Sequence, residues 1–203
     1  MRGSAPLSRN SDRRGSRHRL NLSLMAITPP LNSMRALAMC LAGGALVACE
    51  PIPSGEVGAP APSYQAATMA GDTSSLESLR GRTVLLNVWA TWCHPCREEL
   101  PVLQQLHEAH ASRGLVIIGV SIDALGSRDA IAEFAANYGV TYPLWHDPDN
   151  TVSVVFQGIG VPLSVLIGPD GIIRWKHLGP VRANDAALTA ALEEALREVE
   201  SAL

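Results

Sequence analysis

The sequence predicts an α/β domain, a central sheet flanked by helices. Three observations carry that expectation. Two short apolar runs, residues 83–90 (TVLLNVWA) and 115–122 (LVIIGVSI), have the length and β-branched content of buried strands. Between them Leu100, Leu103 and Leu106 recur at helical spacing, with Gly114 to end the element. Beyond them, strand-like and helix-like patterns keep alternating to the end of the chain.

The elements follow in order. Gly81 precedes the first strand, and a Cys-Pro turn follows it. Ser127 stands as an N-cap before Ile131, Phe134, Ala135 and Tyr138, one face of a helix that Gly139 closes. A short strand is expected over 142–145 and a short helix over about 149–156. Residues 163–167 read as a strand that Pro169-Asp170-Gly171 turns into a partner over 172–177. The last helix starts near Asn184 and buries Leu188, Leu192, Ala195 and Val199. The order β-α-β-α-β-α-β-β-α implies a mainly parallel sheet with one antiparallel hairpin. The domain is expected over 71–203, about 130 residues, enough for a core without disulfides.

The chain of 203 residues is 47% apolar and 17% charged, which excludes wholesale disorder. A net charge of −3 provides no basic field for nucleic acid. That average hides a split: residues 1–48 carry seven Arg against one Asp, and residues 49–203 carry nine basic against eighteen acidic groups. Residues 36–48 (ALAMCLAGGALVA) follow Arg35 and are too short for a membrane span, which takes about 20 residues. They describe a secretory signal peptide. Leu46-Val47-Ala48-Cys49 resembles the lipobox of bacterial lipoproteins, which implies cleavage before Cys49 and a diacylglycerol on its sulfur. The alternative is a core cysteine behind an ordinary signal. Residues 1–33 exceed a normal n-region, and Arg13-Arg14 lacks a twin-arginine continuation, so translation is expected to start at Met34. Cys40 then falls in the discarded signal. Residues 49–70, with Pro51, Pro53, Pro60 and Pro62, read as a lipidated flexible tether spanning roughly 25 Å.

Trp92-Cys93-His94-Pro95-Cys96 lies where the first strand passes into the first helix. A cysteine at a helix N-terminus faces unpaired N–H groups and the positive end of the backbone dipole, which favour thiolate. Two intervening residues place Cys96 one turn inside the helix, close enough to close or resolve a disulfide. Cys93 is therefore the expected nucleophile and Cys96 the buried resolving thiol. Four cysteines are too few for a disulfide-dense mini-protein, and no second CxxC completes a zinc ribbon.

LLNVWATWCHPCREELP (85–101) resembles the active-site segment of TlpA/ResA-type thiol–disulfide oxidoreductases, membrane-bound members of the thioredoxin superfamily. LESLRGRTV upstream, and IGVP with LSVLIGPDGII downstream, are similar to the same family, so the resemblance covers essentially residues 71–200. It implies a thioredoxin-like fold with a mixed central sheet, and a helix–strand insertion over 127–146. It also implies a cis bond at Pro162, with Val161 offering backbone to a substrate strand. Plain thioredoxins carry a buried aspartate where this chain has Asn87, and the family's alternative carboxylate corresponds to Glu99. At i+3 from Cys96, Glu99 is the candidate proton acceptor for the resolving thiol, the alternative being a solvated helix glutamate such as Glu98. Leu163-Ser164 replaces the Thr-Thr common after the cis-proline. Protonated, His94 would stabilise the Cys93 thiolate; neutral and solvent-facing, it would do little. Pro95 matches the superfamily's reducing members. Trp92 is expected to shield the disulfide and contact partners, while Trp89, Trp145 and Trp175 read as core or sheet-face residues. His107, His110, His146 and His177 show no metal spacing and read as surface groups.

The leading functional expectation is a periplasm-facing, lipid-anchored reductase of protein disulfides, its electrons carried by the cysteine pair without cofactor or metal. By resemblance its substrates would be apocytochrome c or the cysteines of a copper site, and a membrane electron donor would regenerate it. A dithiol oxidase, argued from His94, and a non-enzymatic Cu(I) chaperone are the alternatives. The Pro-x-x-x-Thr-x-x-Cys pattern of peroxiredoxins is absent before both Cys93 and Cys96.

Overall fold

The computed structural model describes residues 53–201. The leader, Met34, Cys40 and the lipobox at Cys49 lie outside the described residues. Seven strands form one sheet: β1 (Gln65–Thr68), β2 (Thr73–Ser75), β3 (Thr83–Trp89), β4 (Leu115–Ser121), β5 (Leu144–His146), β6 (Leu163–Ile167) and β7 (Ile173–Leu178). Four helices accompany them: α1 (His94–His110), α2 (Arg128–Asn137), α3 (Thr151–Val155) and α4 (Ala186–Ser201). The sheet order is β2-β1-β5-β4-β3-β6-β7. Helix α2 and strand β5 occupy the span expected for the insertion, with β5 between β4 and β1.

Strand β3 is buried along its whole length and separates two cores. Its alternating side chains send Val84, Leu86 and Val88 to one face, against Ile118, Trp145 and Phe156. Leu85 turns to the other face, where Leu188, Leu192 and Leu196 of α4 cover it. Asn87 shares the parity of Leu85, so an amide is delivered into an apolar interior beside the start of α1. Helix α1 tolerates Pro95 because first-turn N–H groups have no partner within the helix. A 3-10 turn over Ala111–Arg113 closes it, and Gly114 takes a left-handed φ of 106° before β4.

Two expectations are corrected. The sheet is mixed, as the family resemblance implies, and not mainly parallel, as the element order alone suggests: only the β3–β4 and β4–β5 pairs are parallel among the described strands. Strand β6 returns antiparallel to β3, a direction that apolar periodicity does not encode. The flexible tether expected over 49–70 is also too long, because residues 54–70 belong to the fold. Gly58 N donates to Ile173 O at 2.8 Å, Ile173 N to Ala59 O at 3.0 Å, and Ala61 N to Gly171 O at 2.9 Å. Pro60, without an N–H, sits between these bonds, as proline can on an edge. Tyr64 then enters the core, its ring 6.1 Å from Trp145 and 6.2 Å from Phe156, and its hydroxyl donates to Asp147 Oδ2 at 3.1 Å. Asp147 also accepts from Val152 N at 2.8 Å and so fixes the start of α3. Ser127 occupies the N-cap position of α2 as expected, but its side chain makes no capping bond.

Tyr64 tests whether this leading segment is structural. In urea unfolding, Tyr64→Ala should cost about 3–5 kcal/mol, as for a buried aromatic. Tyr64→Phe should cost about 1 kcal/mol, the value of one hydrogen bond. A loss below about 1 kcal/mol for Tyr64→Ala would show that the segment contributes no core.

Candidate active site

Cys93 is the N-cap residue of α1, with extended backbone (φ −80°, ψ 105°), and its sulfur accepts the Cys96 N–H at 3.2 Å. The two cysteines form a disulfide, with S–S 2.03 Å and Cα–Cα 5.4 Å. Cys93 retains 4% exposure and Cys96 none, which makes Cys93 the sulfur an incoming group can reach. Trp92, beside it, is 64% exposed. His94 and Pro95 are exposed on the first turn, so the ring of His94 points to solvent rather than into the site.

The peptide bond between Val161 and Pro162 is cis. Val161 packs against the apolar cluster formed by Trp89, Ala90, Cys93, Cys96, Ile131 and Ala135, so the turn before β6 meets the disulfide from the far side of the sequence. Trp92 and Val161 line one hollow next to the cysteines. The loop leading to Cys93 is pinned separately. Asp123 accepts from Thr91 N at 3.0 Å, from Thr91 Oγ1 at 2.6 Å and from Ser121 Oγ at 2.7 Å. His146 is buried on β5, with Nε2 2.9 Å from the Asp123 carbonyl oxygen, which corrects its reading as a surface group. The sequence carried no spacing signal for this cluster, because its members come from three separate elements.

Glu99 is fully buried on α1, while its neighbour Glu98 is exposed. Asn87 Nδ2 donates to Glu99 Oε1 at 2.8 Å and to Ser164 Oγ at 3.0 Å; Val181 N donates to Glu99 Oε2 at 2.8 Å. Asn87 and Ser164 are direct cross-strand partners on β3 and β6. The Leu163-Ser164 departure thus brings a hydroxyl to the carboxylate's donor. Burial pushes the Glu99 carboxyl up to about 7, against the Val181 and Asn87 hydrogen bonds that lower it. A carboxyl near neutrality can exchange a proton at physiological pH, which suits a proton acceptor. Tyr142, also buried, has a hydroxyl without a partner among the described residues, and burial followed by the Glu99 charge pushes it up.

The raised Glu99 has a stability consequence of defined sign. Between about pH 4.5 and 7 the folded carboxyl holds a proton that the unfolded one has lost, so stability falls as pH rises through that window. Wild type should therefore lose up to about 3 kcal/mol relative to Glu99→Gln across the window, in urea titrations of the oxidised forms. A pH-independent difference between the two proteins would contradict the raised carboxyl.

The AhpC/TSA family matches residues 57–176, more than half of the chain. The chain is 32% identical over 122 residues to the thioredoxin-like protein YneN of Bacillus subtilis, covering 60% of this chain and 71% of that one. It is 34% identical over 121 residues to the thiol–disulfide oxidoreductase ResA of Oceanobacillus iheyensis, covering 58% of this chain and 62% of ResA. The match therefore spans less than two thirds of the length of that relative. A secreted thiol–disulfide isomerase of Corynebacterium glutamicum superposes with a TM-score of 0.58 at 26% identity, over 68% of this chain and 84% of that one. With a thioredoxin-like sheet, a disulfide at the first turn of α1 and a cis-proline against it, the chain belongs to the AhpC/TSA family, as a thiol–disulfide oxidoreductase of the ResA type.

Proposed function

We propose that the protein reduces protein disulfides on the outer side of a bacterial membrane, tethered there through Cys49. The observation that carries the reading is the asymmetric cysteine pair: a reachable Cys93 at a helix N-terminus and a buried Cys96 on the helix that carries Glu99. The Cys93 thiolate attacks one sulfur of a substrate disulfide; that S–S bond breaks and the departing substrate thiolate takes up a proton. Cys96, giving its proton to Glu99, then attacks Cys93 Sγ. The mixed disulfide breaks, the second substrate sulfur leaves and is protonated, and the Cys93–Cys96 bond of the structure forms. Two electrons pass from the protein to the substrate, and a membrane dithiol donor returns them. The cysteine pair is the whole redox apparatus in this scheme, with no further cofactor. Val161 and Trp92 hold the substrate segment against Cys93, Pro162 shapes that surface, and Pro95 leaves the first turn without a competing N–H. His94, exposed on that turn, modulates the Cys93 thiolate only when protonated.

The lipobox-like Leu46-Val47-Ala48-Cys49 supports the anchor, and the secreted relative from Corynebacterium glutamicum supports export. No helix among the described residues is long and apolar enough to cross a membrane. Because Ser54 already bonds Pro60 O, only residues 50–53 separate a lipidated Cys49 from the fold, a reach of roughly 17 Å at most. The domain then works close to the headgroups, suited to substrates held at the same surface, such as apocytochrome c or the copper-site cysteines of an oxidase subunit.

The Cys96→Ala protein should accumulate a mixed disulfide between Cys93 and its substrate, identifiable by mass spectrometry and released by dithiothreitol. The same trap in Cys93→Ala should be empty. Capture through neither cysteine, with unchanged periplasmic thiol states on deleting the protein, would end the reductase reading. A reduction potential near −120 mV rather than −270 mV would reverse its direction to oxidation. Stoichiometric Cu(I) binding without disulfide exchange would replace it with a metal carrier.

A further inference from the structure

The interior around Glu99 holds more hydrogen-bond donors than it uses. Two bonds reach the carboxyl, from Asn87 Nδ2 and Val181 N. An ionised carboxylate can accept about four. On the same side of the sheet two buried donors are unspent among the described residues, the Tyr142 hydroxyl and the Trp89 indole N–H. A donor left unpaired in the interior carries its full desolvation cost, so its retention calls for a state in which it is used.

Tyr142 is held where such a use is possible. Gln104 of α1 grips the preceding residue: its Nε2 donates to Thr141 Oγ1 at 2.8 Å, and its Oε1 accepts from Thr141 N at 2.9 Å. The Tyr142 ring packs in one cluster with Leu103 of α1 and Leu85 of β3. Its far end reaches β4 at Gly119, the register partner of Asn87. A Cβ on Gly119 would stand 3.1 Å from Tyr142 Cε2, the carbon next to the one bearing the hydroxyl, and 3.1 Å from Trp89 Nε1. It would also stand 2.8 Å from Leu144 Cδ2, so glycine is needed there for room. The strand position beside the amide that holds Glu99 is thereby given over to the end of the tyrosine. Phenylalanine would fill the same space; only the hydroxyl needs a further reason. Burial, and then the Glu99 charge, push that hydroxyl up, so it keeps its proton and remains a donor.

Resting on the reading of Glu99 as proton acceptor in the reductase, we propose that Tyr142 is its positioning residue: the hydroxyl, unpartnered in the structure, turns its O–H onto the carboxylate when Glu99 is charged. The bond favours the charged form, which is the form that accepts the Cys96 proton. No proton leaves the tyrosine, which acts through Glu99 alone. The titratable groups facing the pair are Cys96, one turn earlier on α1, and His107, whose ring lies 6.1 Å from that of Tyr142. Strands β3, β4 and β6 present Asn87, Gly119 and Ser164, the loop before α4 presents the Val181 amide, and α4 presents leucines; none of these titrates.

Infrared titration of the oxidised full-length protein, with the Glu99→Gln spectrum subtracted, reads the midpoint of the Glu99 carboxyl. Tyr142→Phe should raise it by about one pH unit, the size of a hydrogen bond to a charged group, because the lost bond favoured the charged form. Leu144→Val changes packing in the same pocket, keeps the hydroxyl and should leave the midpoint in place. A midpoint unmoved or lowered by Tyr142→Phe, or raised equally by Leu144→Val, would overturn the proposal. The resolving step is read on reduced protein mixed with dithiobis(nitrobenzoate), which releases one thionitrobenzoate when Cys93 attacks and a second when Cys96 displaces the mixed disulfide. The pH midpoint of the second release should rise in Tyr142→Phe with that of the carboxyl, and a midpoint that ignores the substitution would overturn the positioning role. Wild type that gives only the first release would defeat the reductase reading, while the infrared midpoints would still decide whether Tyr142 serves Glu99.

Discussion

The Cys96 amide that points at the Cys93 sulfur, 3.2 Å away, is the contact around which the site is organised. It exists because Cys93 ends one element and starts another: β3 stops at Trp89, and α1 begins at His94 with Cys93 as its cap. The first-turn N–H groups of a helix lack intrahelical partners, and here one of them is spent on sulfur. The remaining fold serves to hold this handover still. Asp123 clamps Thr91 from the β4 side, and β3 itself is immobilised by side chains buried on both its faces. The cis turn at Val161–Pro162 approaches from β6, the neighbour of β3.

Glu99 shows the cost and the use of burying a carboxyl. Desolvation raises it, and three structural facts keep the cost tolerable: an amide on β3, a backbone N–H at Val181, and the absence of a second buried acid at position 87. With aspartate at 87, two carboxyls would share one apolar pocket and one of them would be forced to stay protonated. Asparagine can donate a hydrogen bond and cannot take up a proton. Glu99 is then the buried carboxyl of α1 that can change its charge. The pocket is assembled from β3, α1, β6 and the loop before α4, so the raised carboxyl depends on the same packing that fixes the sheet.

The parts of this arrangement that were legible in the sequence are the ones whose information is local. The apolar runs of β3 and β4, the stripe of Leu188, Leu192 and Val199, and the Cys93-His94-Pro95-Cys96 spacing each sit within one element. Glu99 is legible through the resemblance to a family, with i+3 spacing to set it on the helical side of Cys96; its complete burial is not legible there. What escaped was non-local or carried by backbone. The Val181 amide is 82 residues from the carboxylate it serves. His146 is buried by strands β4 and β1 on either side of β5, and its own neighbours in sequence say nothing of this. The segment before Tyr64 looked like a linker because it is rich in proline and small residues. An edge segment held by main-chain bonds needs no apolar alternation, and proline is admissible there.

We propose that the helix start, rather than general exposure, makes Cys93 the nucleophile. Its direct measurement is the pH dependence of iodoacetamide alkylation of the reduced full-length protein, read separately at Cys93 and Cys96 by mass spectrometry. Cys93 should be alkylated first, with a midpoint below about 7.5, and Cys96 should react slowly throughout. A Cys93 midpoint at or above the roughly 8.5 of a free thiol, or equal reactivity of the two cysteines, would contradict it.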